Sequence, residues 1–299
     1  MNNIGVIGVG NIGKILLKRL VEAGYTVSVY RRRRDQDAID EIIKMGASPT
    51  SSAKEVGMKS DIIFLCLPAP IQVEEVVFGE DGVLEEIKKD CVIINLSTIG
   101  PKAAIKIAKE VEKKNAKYVD GAVSRGPSED QVAALTLIVS GDRETLKNVQ
   151  QVLSVVSNNN VLYAGPIGMA QVVKLANNMM AAVNLFGVIE AFTWAMRQGA
   201  SPEVLFKLAS NSPGDSWVLR NLLPRILKRD FKVRFALMGK DVNLFLDVAK
   251  DYQLFTPFVA LAHQFLQAAK GRGFEDIAST VRIYEQITGV KLEKLDFHG

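Results

Sequence analysis

The amino-acid sequence predicts an α/β protein in which a doubly wound sheet is followed by an all-α domain, with a long interdomain helix. Three observations predict this class. Up to about residue 163, short β-rich runs alternate with segments of helical spacing, which is typical of a sheet covered by helices. After about residue 164 the β-rich runs stop, and residues 169–196 form one long apolar stretch without proline. The expected domains are therefore residues 1–163 and residues 164–299.

The first domain contains seven candidate strands. Each is apolar on both faces, which favours a parallel sheet with helices on both sides and right-handed crossovers. The strands are expected at residues 4–9, 26–30, 61–67, 91–97, 116–120, 135–141 and 160–164. The stretch at 169–196 is apolar nearly all round, so we expect a helix that is buried on most sides, between domains or against another subunit. Proline at a first helical position predicts further helix starts at Gly100-Pro101, Ser201-Pro202 and Thr256-Pro257.

Composition excludes several classes of protein. The chain has 299 residues, and its 37 Lys and Arg against 33 Asp and Glu give a net charge of only +4, which argues against a nucleic-acid partner. Two distant cysteines, Cys66 and Cys91, form neither a disulfide framework nor a zinc motif, so we expect a cytoplasmic protein. The N-terminus shows no signal-peptide pattern. The longest near-continuous apolar stretch, Ile62–Ile71, contains two prolines and is shorter than the ~20 residues of a membrane span, so we expect no membrane partner.

A glycine pattern at residues 8–13 indicates a dinucleotide site. These residues read GVGNIG, between a strand-like run and a helix-like run. In such a motif Gly8 permits the tight turn, Gly10 lets the backbone approach a pyrophosphate, and Gly13 lets the helix pack against the strand. Asn11 and Ile12 complete the turn, where the helix N-terminus offers N–H groups to phosphates. The motif in this context predicts a Rossmann domain.

The second strand is followed by a run of arginines instead of an acidic residue. An NAD site usually has Asp or Glu about 20 residues after the glycine motif, to hold the ribose hydroxyls. Here Arg31, Arg32, Arg33 and Arg34 follow the strand, and the first acidic residue is Asp35. Guanidinium groups suit a 2′-phosphate, so we expect NADP in preference to NAD. The alternative is an exposed basic loop that binds nothing.

Counting the candidate bases points to one lysine. Oxidation of an alcohol by a nicotinamide needs a base for the hydroxyl proton. The two histidines lie late in the chain, no Tyr-x-x-x-Lys pair occurs, and no residues are grouped to hold a metal. Lys174 stands near the start of the long apolar stretch, with Asn178 one helical turn further on. The alternative for Lys174 is a surface lysine whose apolar stem lies along the helix.

Six segments in order resemble the β-hydroxyacid dehydrogenase family, which includes the 3-hydroxyisobutyrate dehydrogenases, and the resemblance spans nearly the whole chain. The segments are IGVIGVGNIG (4–13), FLCLPAP (64–70), NLSTIGP (95–101), DGAVSRG (120–126), GPIGMAQVVKLANN (165–178) and MGKDVNL (238–244). The resemblance implies that Lys174 exchanges the hydroxyl proton and that Asn178 orients Lys174 or the substrate. It implies that Ser124 and the backbone at Arg125-Gly126 hold the substrate carboxylate.

The resemblance also implies the remaining binding roles. Thr98 would contact the nicotinamide side of the cofactor, and Lys240 would close over the cofactor or substrate from the second domain. The residues implied at the adenosine end are Leu67, Pro68 and Val73. For Trp217 two roles stay open, a wall of the substrate pocket or plain core. For Asp241 they are positioning of Lys240 or a surface ion pair.

The resemblance implies an NADP-dependent oxidoreductase that interconverts a short 3-hydroxy acid and its semialdehyde, working as a dimer or tetramer. Two residues depart from the family pattern DxPVSGG, because Ala122 replaces the proline and Arg125 replaces the first glycine of the pair. These departures leave the substrate open among 3-hydroxyisobutyrate, L-serine and small semialdehydes or glyoxylate. Two other functions stay open as alternatives: a non-catalytic NADP-binding scaffold and an imine-reducing relative.

Overall fold

The structure, a computed structural model, describes residues 1–32, 35–125, 135–231, 237–274 and 278–293. Within it the chain forms two compact units, Met1–Lys174 and Leu175–Gly299. The boundary expected at residues 163 and 164 marks the end of the strand pattern and stays a prediction.

Among its described residues, the first unit contains one sheet of eight strands. They are β1 (Asn3–Ile7), β2 (Thr26–Tyr30), β3 (Ser48–Pro49), β4 (Ile62–Leu65), β5 (Val92–Asn95), β6 (Lys117–Arg125), β7 (Leu135–Ser140) and β8 (Val161–Gly165). Their order in the sheet is β3-β2-β1-β4-β5-β6-β7-β8. The chain runs outward from β1 to β3 and then continues on the other side of β1 with β4. The strand order therefore reverses between β1 and β4, and open sheets bind ligands outside the carboxyl ends of the strands at such a point.

Helices cover both faces of this sheet. They are α1 (Asn11–Glu22), α2 (Gln36–Lys44), α3 (Ala53–Lys59), α4 (Pro70–Phe78), α5 (Pro101–Lys113) and α6 (Arg143–Ser157), with a 3₁₀ turn at Val83–Glu85. Alternate residues of a strand point to opposite faces. Accordingly Ile62 and Phe64 of β4 belong to one apolar core, while Ile63 and Leu65 belong to a second core across the sheet. The doubly wound class expected from the sequence is confirmed.

One strand pair departs from the expected parallel sheet. β6 and β7 are antiparallel, with Ser124 opposite Thr136. Only nine residues, 126–134, join them, and they lie outside the described residues. A parallel pair needs a crossover of about a dozen residues or more, whereas antiparallel neighbours can be joined by a short connection. The expectation of an all-parallel sheet was therefore wrong at this pair, because the connection is too short for a crossover helix.

The two ends of the sheet also differ from the expectation. β3 has two residues, too few to produce an apolar run, and was not predicted. β8 was expected to be apolar and covered on both faces, but Leu162 and Tyr163 are exposed. β8 is the last strand in the order and pairs only on one side, with β7. An edge strand of this kind does not need burial on both faces.

The second unit is helical, as expected. The helices are α7 (Met169–Arg197), α8 (Pro202–Ala209), α9 (Leu223–Leu227), α10 (Leu237–Asp251), α11 (Pro257–Gly271) and α12 (Val281–Thr288), with a π-helical turn at Val218–Leu222 and a 3₁₀ turn at Ala278–Thr280. Helix α7 begins within the last residues of the first unit. The predicted starts at Pro101, Pro202 and Pro257 are confirmed.

Helix α7 bears on two expectations. It has 29 residues, and by length and composition its most apolar 18-residue window could cross a membrane. The expectation that no stretch reaches that length was wrong, because scattered polar residues such as Asn184 interrupt the run without making it polar on average. Within the single chain 44% of that window is buried, so the expected burial on most sides, between domains or against another subunit, stays a prediction. Residues including Leu185, Ile189 and Phe192 pack in the helical core, as in the central helix of a globular unit.

Candidate active site

The glycine turn after β1 is built from close backbone contacts. Gly8 has a φ of +96°, and a Cβ added there would lie 2.4 Å from the carbonyl oxygen of Cys66. A Cβ on Gly13 would lie 2.0 Å from the carbonyl oxygen of Gly8. Both distances are far below van der Waals contact. Gly8 is therefore required by backbone conformation, and Gly13 by the close packing of α1 against the turn.

Gly10 differs from the other two glycines because it faces open space. A Cβ added at Gly10 would meet no described atom within 4 Å. Gly10 precedes α1, whose first residues are Asn11 and Ile12, and among the described residues no side chain caps this helix. The exposed N-terminal turn and the open space beside it fit a pyrophosphate held by backbone N–H groups. The described residues therefore fit the dinucleotide that the sequence predicted.

The arginines after β2 do not all play the same part. Nη1 of Arg31 lies 2.8 Å from Oε2 of Glu41 on α2, and Glu41 also accepts a hydrogen bond from Lys14. These two cations lower the pKa of Glu41 below its usual value. By contrast, the side chain of Arg32 is 82% exposed, and its Nη1 lies 3.7 Å from Oε2 of Glu75. Arg31 is thus held by a close ion pair, whereas the guanidinium of Arg32 is open to solvent.

Arg33, Arg34 and Asp35 follow Arg32 in the chain. Arg33 and Arg34 lie outside the described residues, so their predicted contact with a phosphate stays a prediction. Asp35, the first acid after β2, accepts a hydrogen bond from the backbone N–H of Ala38 at 3.0 Å and thereby caps α2. Its carboxylate is used as a helix cap.

The ends of β4 and β5 are joined by Ser97. Its hydroxyl donates to the carbonyl of Leu65 at 3.3 Å and accepts from the N–H of Leu67 at 2.8 Å. This contact brings Leu67 and Pro68, the predicted adenosine-side residues, beside the segment that carries Thr98. Val73, on α4, is fully buried in the apolar core against which Leu67 packs, so its predicted place at the adenosine end stays a prediction.

Asn95 shapes the segment before Thr98, a role that sequence reasoning missed. Its Oδ1 accepts from the N–H of Ser97 at 3.1 Å, and its Nδ2 donates to the carbonyl of Ser97 at 3.0 Å. An aspartate carboxylate, which has no N–H, could make only the first of these bonds. Asn95 is completely buried, and a buried polar residue at a strand end is the signal that could have indicated this role.

The strand expected to bind the substrate carboxylate is β6. Ser124 is half-buried near its carboxyl end, and Arg125 is its last residue. Ala122, which replaces the family's proline, is fully buried. Gly126 lies outside the described residues, so the structure does not test its predicted role.

A buried polar network fixes the first turn of α7. Oδ2 of Asp120, on β6, accepts from the N–H of Gly168 at 3.1 Å and from the hydroxyl of Ser140 at 3.0 Å. Oδ1 of Asp120 accepts from Nε2 of Gln171 at 2.7 Å. Burial raises the pKa of Asp120 from its usual 3.8 to about 6, and the hydrogen bonds from Gln171, Ser140 and Gly168 oppose that rise. The network places the start of α7 against β6 and β7.

Lys174 lies on α7 three residues after Gln171 and is half-buried. Asn178 follows one turn later on the same continuous helix. Because Gln171 also accepts from the N–H groups of Ile99 and Gly100, the turn of α7 before Lys174 lies against the segment after β5. The first unit therefore brings the glycine turn, Leu67, Thr98, Ser124 and the helix bearing Lys174 to one edge of the sheet.

In the second unit Asp241 joins two predicted site residues. Nδ2 of Asn178 donates to its Oδ2 at 2.6 Å, and Nζ of Lys240 lies 3.3 Å from its Oδ1. Asp241 is only 3% exposed, which excludes the surface ion pair that the sequence left open. Trp217 is partly exposed and directly precedes the π-helical turn Val218–Leu222. Such turns are frequent at functional sites.

Two protein-family models match the chain. Residues 3–165 match the family model for the NAD-binding domain of 6-phosphogluconate dehydrogenase. Residues 168–284 match the family model described as the NAD-binding domain of NADP-dependent 3-hydroxyisobutyrate dehydrogenase. Together the two models cover nearly all of the chain.

Individual relatives also match most of the chain. The chain is 31% identical to 2-(hydroxymethyl)glutarate dehydrogenase of Eubacterium barkeri, over 97% of both chains. It is 32% identical to the mitochondrial 3-hydroxyisobutyrate dehydrogenase of Homo sapiens, over 95% of this chain and 87% of that one. Its structure resembles that of Mycobacterium tuberculosis 3-hydroxyisobutyrate dehydrogenase with L-serine, with a TM-score of 0.86, 26% identity, and coverage of 95% of this chain and 99% of that one.

The fold and the glycine turn define an NAD(P)-binding oxidoreductase with a Rossmann unit and a helical unit. The family matches and the relatives place it more closely. The chain belongs to the β-hydroxyacid dehydrogenase family, whose members act on 3-hydroxy acids.

Proposed function

We propose that this protein is an NADP-dependent dehydrogenase that interconverts a short 3-hydroxy acid and its semialdehyde, with Lys174 as the general acid and base. The observation that carries the proposal is the position of Lys174. It follows a helix turn that is hydrogen-bonded to the segment carrying Thr98 and to the strand carrying Ser124. A lysine held near both segments can reach a hydroxyl group bound between them.

Lys174 serves both directions of the reaction. In oxidation its neutral amine accepts the hydroxyl proton while the carbon loses a hydride, and in reduction its ammonium returns a proton to the carbonyl oxygen. The bound nicotinamide supplies the hydride chemistry. Asn178, held by Asp241, orients the amine or the substrate hydroxyl. The Ser124 hydroxyl and the backbone at Arg125-Gly126 bind the carboxylate, which fixes the acid end of the substrate.

The cofactor proposal rests on Arg32. Its exposed guanidinium follows β2, where the ribose of a dinucleotide lies in a Rossmann fold. A 2′-phosphate there gains charge-assisted hydrogen bonds that a free 2′-hydroxyl cannot form. One relative named as an NAD-dependent L-serine dehydrogenase, from Pseudomonas aeruginosa, is 29% identical over 97% of this chain, so cofactor choice must be measured directly.

The names of the relatives define the substrates to test. By their names, these relatives act on 3-hydroxyisobutyrate, L-serine and 2-(hydroxymethyl)glutarate, which share a carboxylate and a hydroxymethyl carbon. The experiment is a spectrophotometric screen of these acids, glycerate and small semialdehydes, each with both cofactors. We expect turnover of at least one, with a higher kcat/KM for NADP than for NAD. A higher value for NAD would refute the cofactor proposal.

Replacing Lys174 tests the mechanism. Lys174→Ala should lower kcat by about 10²- to 10⁴-fold, the usual contribution of a general acid or base, and leave the Kd for NADPH within a few-fold. Lys147→Ala, which removes an exposed lysine from α6, is the matched control and should retain wild-type kcat. The Kd is measured by fluorescence titration of NADPH. A large loss of NADPH binding in Lys174→Ala would contradict the catalytic assignment.

We also propose that the protein is a cytoplasmic homodimer or homotetramer. Both cysteines are free thiols, which suits a reducing compartment. The second unit exposes several large apolar side chains around the start of α11, namely Tyr252, Leu254, Phe255, Phe258 and Leu261. Exposed apolar patches of this kind often mark protein–protein contacts, which supports a second copy as the partner.

A further inference from the structure

Gln171 is fully buried, and its amide is bonded at both ends. Its Oε1 accepts from the N–H of Ile99 at 2.8 Å and from the N–H of Gly100 at 3.1 Å. Its Nε2 donates to Oδ1 of Asp120 at 2.7 Å and to the carbonyl of Gly121 at 2.8 Å, with the carbonyl of Ser97 at 3.3 Å. One side chain therefore joins α7 to the segment after β5 and to β6.

These contacts concern the two segments to which the proposed function assigns binding roles. Ile99 and Gly100 directly follow Thr98, for which the resemblance to the family implies contact with the nicotinamide side of the cofactor. Asp120 and Gly121 lie on the strand that ends in residues 124 and 125. Gln171 itself stands three residues before Lys174, and residues three apart on a helix share a face. A shift of Gln171 would therefore move the lysine relative to both binding segments.

Helix capping does not require this arrangement. The N–H of Gly168 is satisfied by Asp120, and the N–H of Ala170 donates to the hydroxyl of Ser140 at 3.2 Å. The amide of Gln171 has five hydrogen-bond contacts, two at its oxygen and three that share its two N–H groups. All of them go to other elements of the first unit, namely backbone groups near two strand ends and the carboxylate of Asp120. Burying an amide is costly unless its hydrogen bonds are made, so the arrangement is specific.

We propose that Gln171 is the positioning residue of the active site, which holds Lys174 in register with the cofactor-side segment and the substrate strand. The inference rests on the proposed function for the role of Lys174. Gln171 touches neither substrate nor cofactor and acts only through the placement of α7. Displacement of a reacting group by about 1 Å costs on the order of 100-fold in rate, so loss of this amide should be seen in kcat.

The first test is Gln171→Met, which keeps the length and volume of the side chain and removes every hydrogen bond of the amide. We expect kcat to fall by about 10- to 100-fold, with the Kd for NADPH changed by less than about threefold. Amide hydrogen exchange at Ile99 and Gly100 should become faster, because both N–H groups lose their acceptor. The control is Ser157→Ala, which removes an equally buried hydroxyl that donates to the carbonyl of Leu153 at 2.7 Å within α6. It should lower stability and leave kcat unchanged.

A second pair of variants distinguishes loss of the positioning role from misfolding. Gln171→Glu keeps the oxygens that accept from Ile99 and Gly100, but it places a carboxylate against Asp120. Adding Asp120→Asn restores a donor between the two side chains. We expect the double variant to recover part of the kcat lost in Gln171→Glu alone, which a general loss of packing would not produce.

The outcomes separate this proposal from the proposed function. Wild-type kcat in Gln171→Met, together with faster exchange at Ile99 and Gly100, would overturn the positioning role. Absence of recovery in the double variant would overturn it as well. A wild-type protein that turns over none of the acids or semialdehydes would instead refute the proposed function, and the positioning role with it. Exchange at Ile99 and Gly100 would then still report whether the hydrogen bonds exist.

Discussion

At the residue scale, three glycines of one motif are required for different physical reasons. Gly8 needs a positive φ, Gly13 needs close contact between backbones, and Gly10 leaves space that no described atom occupies. The sequence predicted all three roles, because the motif and its strand–helix context specify them. The sequence assigned no roles to Asn95 and Gln171, because a single polar residue in an apolar segment does not show which distant backbone groups its side chain will hydrogen-bond.

The difference between Gly10 and Gly13 can be measured. Gly10→Ala adds a methyl group into open space at a backbone conformation that alanine can adopt, with φ −83° and ψ −161°. We expect unfolding free energy within about 0.5 kcal/mol of wild type but weaker NADPH binding. Gly13→Ala should instead destabilise the protein by about 1–3 kcal/mol, because its methyl group overlaps the Gly8 carbonyl. Urea unfolding and NADPH titration of both variants test these two effects. Weaker NADPH binding without loss of stability in Gly13→Ala would contradict the packing role of Gly13.

The raised pKa of Asp120 predicts a dependence of stability on pH. At about pH 3 the carboxyl is largely protonated in both folded and unfolded chains. As pH rises to about 6 the unfolded chain ionises first, so the folded state loses stability, and above that range the loss is complete. Asp120→Asn lacks this titration. We therefore expect the unfolding free energy of wild type relative to Asp120→Asn to fall by about 2–3 kcal/mol between about pH 3 and about pH 7.5.

Urea unfolding of both proteins at several pH values measures that difference. Asp142→Asn is the control, because hydrogen bonds from Thr145 lower the pKa of the exposed Asp142 carboxyl. The stability of wild type relative to Asp142→Asn should therefore change in the opposite direction and rise with pH. If the stability of wild type relative to Asp120→Asn also rose with pH, the hydrogen bonds to Asp120 would lower its pKa by more than burial raises it. That result would contradict the predicted direction.

At the element scale, the directions of most strands followed from sequence, but that of β7 did not. Apolar runs at residues 61–67 and 91–97 predicted β4 and β5 well, because both strands are buried on both faces. The direction of β7 depends on the length of its connection to β6, which an apolar pattern does not report. The exposed face of β8 depends on its place at the edge of the sheet, and that place is a property of the assembled sheet.

The contact between the ends of β4 and β5 predicts a stability effect. Ser97→Ala removes the acceptor of the Leu67 N–H and the donor to Leu65. We expect a loss of about 1–3 kcal/mol, the cost of an unsatisfied buried group. The control is Ser60→Ala, because the buried Ser60 hydroxyl has no hydrogen-bond partner among the described residues and its removal should be nearly neutral. Equal losses in the two variants, measured by urea unfolding, would contradict the role of Ser97.

At the scale of the whole molecule, the sequence predicted a sheet unit and a helical unit because their patterns differ along the chain. It could not predict which faces of the helices are covered. Helix α7 reads as apolar nearly all round, yet Met180 and Trp194 are exposed in the single chain. The pattern of apolar residues in the sequence shows that a helix surface is apolar. Whether that surface is buried depends on a partner or a second copy of the chain.

The exposed side chains around α11 predict the oligomeric state. Phe255 is 92% exposed and Phe258 is 73% exposed. We expect wild type to exceed the single-chain mass of 32.7 kDa in size-exclusion chromatography with light scattering. Phe255→Glu with Phe258→Glu should shift it toward that mass. Ile43→Glu, at an exposed apolar position on α2, should not. A wild-type mass equal to that of one chain would contradict the proposed assembly.

The ion pair between Arg31 and Glu41 has a consequence for redesign of cofactor choice. From the sequence, the four consecutive arginines look equally able to bind an anion. In the structure, however, the charge of Arg31 is already balanced by Glu41 on α2. An engineer who wishes to alter the choice between the two dinucleotides should therefore begin with Arg32 and keep Arg31, because replacing Arg31 would remove one of the two cations that pair with the Glu41 carboxylate.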